Sequence, residues 1–276
     1  MKRCELSSRL QVLSIAMFCL CLFAGGCGRP SQPVKIRPET ARNEMKLRSI
    51  EFTEREFVRR AVDGDLTAVR LFVAAEMRTD ARNTDGETPL TVAAEKNHMR
   101  VAQALLDGKA DPNTGDATNM TPLMYAARNG SIETLNLLLA RGADPNARDK
   151  DGVTALMHST WKSDPGAAEI LLQHGTDPDA QDTDGRTALQ WAALYDRARI
   201  VEVLLAKNAD PNKRNVADGT ALMVAAARGN QPIIKSLLAK GADKSLKDKT
   251  GKTALAWARE SKKLEAARLL AEEAAN

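Results

Sequence analysis

From residue 83 onward, apolar positions come in two alternating kinds. Oily runs (Leu137-Leu138-Leu139, Ile170-Leu171-Leu172, Val203-Leu204-Leu205) are separated by small pairs (Ala93-Ala94, Ala126-Ala127, Ala192-Ala193, Ala225-Ala226). The small pairs predict first helices that approach one another closely, and the runs predict second helices that carry most of the apolar surface. Ahead of the small pairs stands a threonine ladder, Thr88, Thr121, Thr154, Thr187, Thr220 and Thr253, with every interval 33 residues. Pro89 and Pro122 follow the first two. A threonine hydroxyl caps the helix there, and proline at the first helical position loses no needed N–H and presets φ. The later units use Ala155, Ala188, Ala221 and Ala254, which favour the helix by propensity.

Two residues before each threonine lie Gly86, Asn119, Gly152, Gly185, Asp218 and Gly251, residue types that tolerate positive φ at a hairpin tip. Asp218 is the poorest fit, and Gly219 beside it suggests a locally shifted turn. Gly142, Gly175, Asn208 and Gly241 are placed to stop the second helices in the left-handed cap. Lys109 breaks that rule, with Gly108 adjacent. Between the units runs a second repeated block, "DGKADPN", "RGADPNA", "HGTDPDA", "KNADPNK" and "KGADKSL".

This pattern resembles the ankyrin repeat, in six units without insertion or deletion over residues 83–276. A degenerate unit precedes them, since subtracting 33 puts Ala61 under Ala94 and Gly64 under Asn97. The resemblance implies an all-α solenoid of helix-turn-helix units with β-hairpin loops. About seven repeats are expected, near 52–82, 83–115, 116–148, 149–181, 182–214, 215–247 and 248–276. No such unit buries its apolar faces alone, so the units must stack, with polar caps at the ends.

Aromatic residues make up only 4% of the chain, which suits a core of Ala, Leu and Val. The formal charge is +4; setting aside Lys2, Arg3, Arg9 and Glu5 leaves 37 basic against 35 acidic residues. That balance excludes the strong basic footprint of a nucleic-acid binder. The four cysteines are Cys4, Cys19, Cys21 and Cys27, so the repeats hold neither a disulfide framework nor a cysteine zinc site.

The N-terminus has a secretory layout: the positive residues named above, an apolar stretch from Val12 to Ala24, then Ala24-Gly25-Gly26. The stretch is short of the roughly 20 residues a spanning helix needs, so a retained membrane anchor is the alternative. The segment resembles a bacterial lipoprotein signal, which implies cleavage after residue 26 and lipidation of Cys27. It lacks the expected Leu three residues before the cysteine, and plain secretion is a further alternative. Residues 27–51, with Pro30, Pro33 and Pro38, read as the lipidated cysteine and a flexible tether, leaving 52–276 as the repeat domain. Gly28 after the cysteine favours the outer membrane over the inner, with the repeats in the periplasm or at the cell surface.

No catalytic constellation is present: His98, His158 and His174 fall in different repeats, and no H-E-x-x-H, G-x-S-x-G or Walker loop occurs. The row Asp111, Asp144, Asp177 and Asp210 reads as turn formers rather than calcium ligands. Neither an enzyme nor a cofactor is expected. The family's binding positions, four, seven and eight residues after each threonine, collect all three tryptophans and both tyrosines. The partner-binding set is Tyr125, Arg128, Trp161, Lys162, Trp191, Leu194, Tyr195 and Arg228, aromatic and Arg-rich as interface hot spots are. The expectation is a monomeric, membrane-anchored protein that binds another protein through its concave groove and hairpin tips. An inhibitor or immunity-type protein, or a secreted host-directed effector, is the alternative.

Overall fold

The computed structural model describes residues 36–272. Among them, α1 (Pro38–Leu47) precedes seven helix pairs. These are α2 (Glu54–Val62) with α3 (Leu66–Ala74), α4 (Pro89–Glu95) with α5 (Met99–Asp107), and α6 (Pro122–Asn129) with α7 (Ile132–Ala140). Next come α8 (Ala155–Ser159) with α9 (Gly166–Gln173), and α10 (Ala188–Leu194) with α11 (Ala198–Ala206). The last are α12 (Ala221–Arg228) with α13 (Gln231–Ala239), and α14 (Ala254–Glu260) with α15 (Leu264–Glu272). First helices pack on first helices and second on second, giving the expected all-helical ankyrin solenoid. Between α7 and α8 the hairpin forms an isolated bridge, Arg148 to Thr154.

The small pairs are fully buried where first helices meet, and Leu135, Leu138, Leu171, Leu204 and Leu237 fill the layer behind them. All six ladder threonines cap their helices, from Thr88 accepting the Thr91 N–H at 3.2 Å to Thr253 accepting that of Ala256 at 3.4 Å. In the degenerate unit the cap is Thr53, which accepts the Glu56 N–H at 3.2 Å. The 33-residue period would have placed it at Arg55, so this first helix starts two residues early.

Two left-handed positions differ from expectation. Asp218 itself takes the hairpin tip at φ 61°, so the turn is not shifted toward Gly219. Lys109, rather than Gly108, takes the left-handed residue after α5 at φ 67°. At the equivalent Gly142, Gly175 and Gly241 an added Cβ would meet nothing within 4 Å. Only the backbone preference opposes a side chain there, which is why Lys109 and Asn208 are accommodated.

A larger correction concerns the proposed tether. Residues 38–47 form α1, with Ala41 and Met45 buried against α3 and Ile50 buried just beyond. Pro38 starts the helix, where its missing N–H is harmless. Burial of Met45 and Ile50 each contributes roughly 1.5–3 kcal/mol. Phe52 stacks on Phe72 at 5.9 Å and Phe57 on Phe72 at 4.8 Å, with the Arg42 guanidinium 5.0 Å from the Phe52 ring. Residues 38–50 therefore belong to the folded region.

Side-chain clips join successive repeats. Asp111 and Asp210 each accept the N–H two residues on, at 2.9 and 2.8 Å, as turn formers do. The following Asn113 and Asn212 accept the N–H of Asp144 and Asp243 in the next repeat, both at 2.7 Å. Nearer the tips, Arg82 donates to the Gly115 carbonyl 33 residues away at 2.8 Å. Arg148 does the same to Gln181 at 2.7 Å, Gln181 to Arg214 at 2.9 Å, and Arg214 to Lys247. Hairpin backbones add the Lys150 N–H to Thr118 (3.0 Å), Thr183 to Asp151 (2.9 Å), Val216 to Asp184 (2.9 Å) and Lys249 to Ala217 (3.1 Å).

Candidate protein-binding surface

Each hairpin is organised by one carboxylate or amide. Asp182 Oδ1 accepts the N–H groups of Asp184 and Arg186 at 2.9 and 2.8 Å. Asp116, Asp149, Asp248, Asn83 and Asn215 repeat this pattern in their own hairpins. In the four aspartates the second oxygen receives a donor nine residues on. Tyr125 Oη donates to Asp116 at 2.7 Å, and His158 Nε2 lies 3.1 Å from Asp149. The Trp191 and Trp257 indoles donate to Asp182 and Asp248 at 2.9 and 2.8 Å. Where the residue nine on is Val92 or Val224, the hairpin carries Asn83 or Asn215 instead. The choice of acid or amide thus follows whether a side-chain donor must be met.

Burial pushes the carboxyls of Asp116, Asp149 and Asp248 upward, but the bonds they accept outweigh it. All three are held below the usual carboxylate range, Asp248 at about 2. Burial, then the bond to Asp116, raises the Tyr125 phenol. Tyr125, Trp191 and Trp257 are consequently half-buried rings with their polar atoms engaged.

The fourth repeat departs from its neighbours. Ser159 and Thr160 replace the small pair and bond back to Leu156 and Met157 carbonyls at 2.6 and 2.7 Å. The helix α8 ends at Ser159, and Pro165 follows before α9. Such back-bonding weakens helices. The released segment is fixed by Arg197, which donates to the Thr160 and Trp161 carbonyls at 3.1 and 2.9 Å. Trp161 is thereby presented at 45% exposure.

Around it a stack forms across three repeats. The Arg128 guanidinium lies 4.4 Å from the Trp161 ring, Trp161 lies 5.7 Å from Tyr195, and Tyr195 lies 5.6 Å from Trp191. Arg186 closes the row, 5.7 Å from the Trp191 ring. Four residues of the sequence-derived set (Arg128, Trp161, Trp191, Tyr195) therefore meet. The others do not join them. Tyr125 is tied to its own hairpin, and exposed Lys162 has its stem 3.7 Å from where a Cβ on Gly130 would stand. Arg228 pairs with Asp196, its Nε at 2.9 Å, and with Leu194 it borders a separate depression beside Trp257. Arg186 and Arg197 were missed because they sit at a hairpin and a helix entry, outside the three offsets.

His98 Nε2 lies 3.0 Å from the Val62 carbonyl, joining adjacent repeats, and His158 is buried against Asp149. Among the described residues no cluster of three or more His, Cys, Asp or Glu could hold a metal, and no helix is long and apolar enough to cross a membrane. Cys27 and the signal segment lie outside the described residues.

The family model for ankyrin repeats (3 copies) matches residues 58–149, 142–215 and 214–276. No curated protein matches the sequence. Among solved structures, the ankyrin repeat domain of Bcl-3, a member of the IkappaB protein family, superposes with a TM-score of 0.68. It shares 30% identity, over 77% of this chain and 97% of that one. With a repeat model over more than half its length, a shared fold and that identity, the chain belongs to the ankyrin-repeat family.

Proposed function

We propose that this protein is a lipid-anchored binding module of a bacterial cell envelope. Its inner face, centred on Trp161 and Tyr195, engages a protein partner. Ankyrin-repeat domains mediate protein partner binding and are typically non-enzymatic. The observation that carries the reading is the Arg128–Trp161–Tyr195–Trp191 stack. It is an aromatic and arginine cluster, partly exposed and held by a clamped backbone, with the composition of an interface hot spot. Leaving such a surface to water is unusual for a monomer.

In this reading Cys27 carries the lipid, and the folded region hangs in the periplasm, at the outer membrane rather than the inner, or at the cell surface. Because α1 begins at Pro38, nine residues lie between Cys27 and Arg37, and the ten Cα steps span at most about 35 Å when fully extended. The module would then act close to the membrane.

The test is photo-cross-linking in cells from position 195, with exposed Glu202 on α11 as the control. One partner captured from Tyr195 and not from Glu202 supports the inner face; equal or absent capture at both sites refutes it. A captured enzyme or toxin whose activity falls on binding would make the module an inhibitor; otherwise it is a scaffold. Metabolic labelling with a fatty acid, lost in Cys27→Ser, tests the anchor, and a soluble unlabelled product would refute it.

A further inference from the structure

Beside the aromatic stack lies a depression of about 460 Å³ between α10, α12 and α14. It is lined by Leu194, Met223, Val224, Ala227 and Trp257, and also by Arg228, Lys263 and Asp248. Leu194 adjoins Tyr195 in sequence, so a bound segment could cover both the depression and the stack.

Charge on this face is polarised along the repeats. Over residues 83–98, Asp85, Glu87 and Glu95 stand against Lys96, a net of −2. Over 248–263, Lys249, Lys252, Arg259, Lys262 and Lys263 stand against Asp248 and Glu260, a net of +3. Lys252 pairs with Glu260 at 2.6 Å, and Asp248 is consumed by its hairpin and by Trp257. Lys249, Arg259, Lys262 and Lys263 are exposed and have no ion pair among the described residues. Of these, Lys263 lines the depression, Lys262 adjoins it in the chain, and the Lys249 N–H bonds the carbonyl of Ala217, which also lines it. Unmatched cations beside an apolar depression complement carboxylates and steer them there.

We infer that this depression seats an acidic segment of the partner. One apolar side chain fills the space over Val224 and Ala227, and flanking Asp or Glu residues meet Lys249, Lys262 and Lys263. The inference rests on the proposed binding role of the inner face, and it names the chemistry of what binds.

The probe is a library of random nine-residue peptides, panned against the full chain purified in detergent. Two variants serve as controls. Ala227→Glu fills and charges the floor at a partly exposed helical position, and the Lys249→Glu/Lys262→Glu/Lys263→Glu triple reverses the rim. The expected result is enrichment of peptides with an aliphatic or aromatic centre flanked by acids. Either control should weaken the best of them at least about tenfold. Peptides without acidic bias, binding that survives both controls, or no enrichment would overturn the inference. Cross-linking separates the two claims. Capture at Tyr195 that is unchanged in both controls removes this site and leaves the binding role; loss of capture in the unaltered chain removes both.

Discussion

Asp182 serves three donors at once: the N–H groups of Asp184 and Arg186, and the Trp191 indole. Asn at this position keeps one carbonyl oxygen for the two backbone groups but turns an amide N–H₂ toward the indole N–H. The Asp182→Asn variant is expected to lose about 1–3 kcal/mol in urea unfolding, the cost of an unmet buried donor. Adding Trp191→Val recreates the pairing found at Asn215 and Val224, and should recover part of that loss in a double-mutant cycle. Strict additivity would refute the coupling. The depressed carboxyls predict an acid limb as well. A folded pKa below the unfolded one, near 3.9, gives stability that is complete above about pH 4. That stability falls as pH drops through the folded value, about 2 for Asp248. Thermal melts from pH 7 to pH 2 should show this decline, and Asp248→Asn should flatten it. The ladder of threonines and tip residues was legible because caps and turns obey local backbone rules. The Asp-to-ring bonds were not, since a contact nine residues away depends on how the hairpin folds over its helix. The sequence nonetheless carries their trace, in the Asn that accompanies Val and the Asp that accompanies a ring donor.

Two elements were hidden for opposite reasons. Helix α1 lies in a stretch so polar that only Ala41, Met45 and Ile50 mark its buried side, and three prolines nearby read as linker. Met45→Ala is expected to cost about 2–5 kcal/mol, as buried methionine truncations do. Limited proteolysis offers a second check: cleavage of the native chain should stop short of residue 37, and a cut inside 38–47 would show that α1 is not docked. The shortened α8 was hidden by the regular period, which continues through the unit unchanged. Its consequence lies in the Arg197 clamp. Arg197→Ala removes both donors to the Thr160 and Trp161 carbonyls, and hydrogen exchange over 159–164 should quicken while that of α12 stays fixed. Unchanged exchange would mean that the clamp does not hold Trp161 in place.

At the scale of the molecule, stability is a sum over units and their seams, so the seams decide where the solenoid opens first. They are not equal. The hairpin pair of 82–87 and 115–120 is joined by the Arg82 side chain, and the next pair by the Lys150 backbone bond. The three later pairs have both kinds of bond. Arg82→Ala should therefore broaden the urea transition by uncoupling the first repeats, whereas Gln181→Ala, with Thr183 to Asp151 and Val216 to Asp184 intact, should leave it sharp. Equal broadening in both would refute this ranking.

The unevenness has a mechanical consequence. Under the proposed N-terminal anchor, a pull from a captured partner enters at the end where the hairpin tips carry the fewest cross-links. Units there would unravel one after another and lengthen the leash, while the firmly sewn C-terminal rows kept hold of their cargo. The fold would behave as a shock absorber in series with its grip.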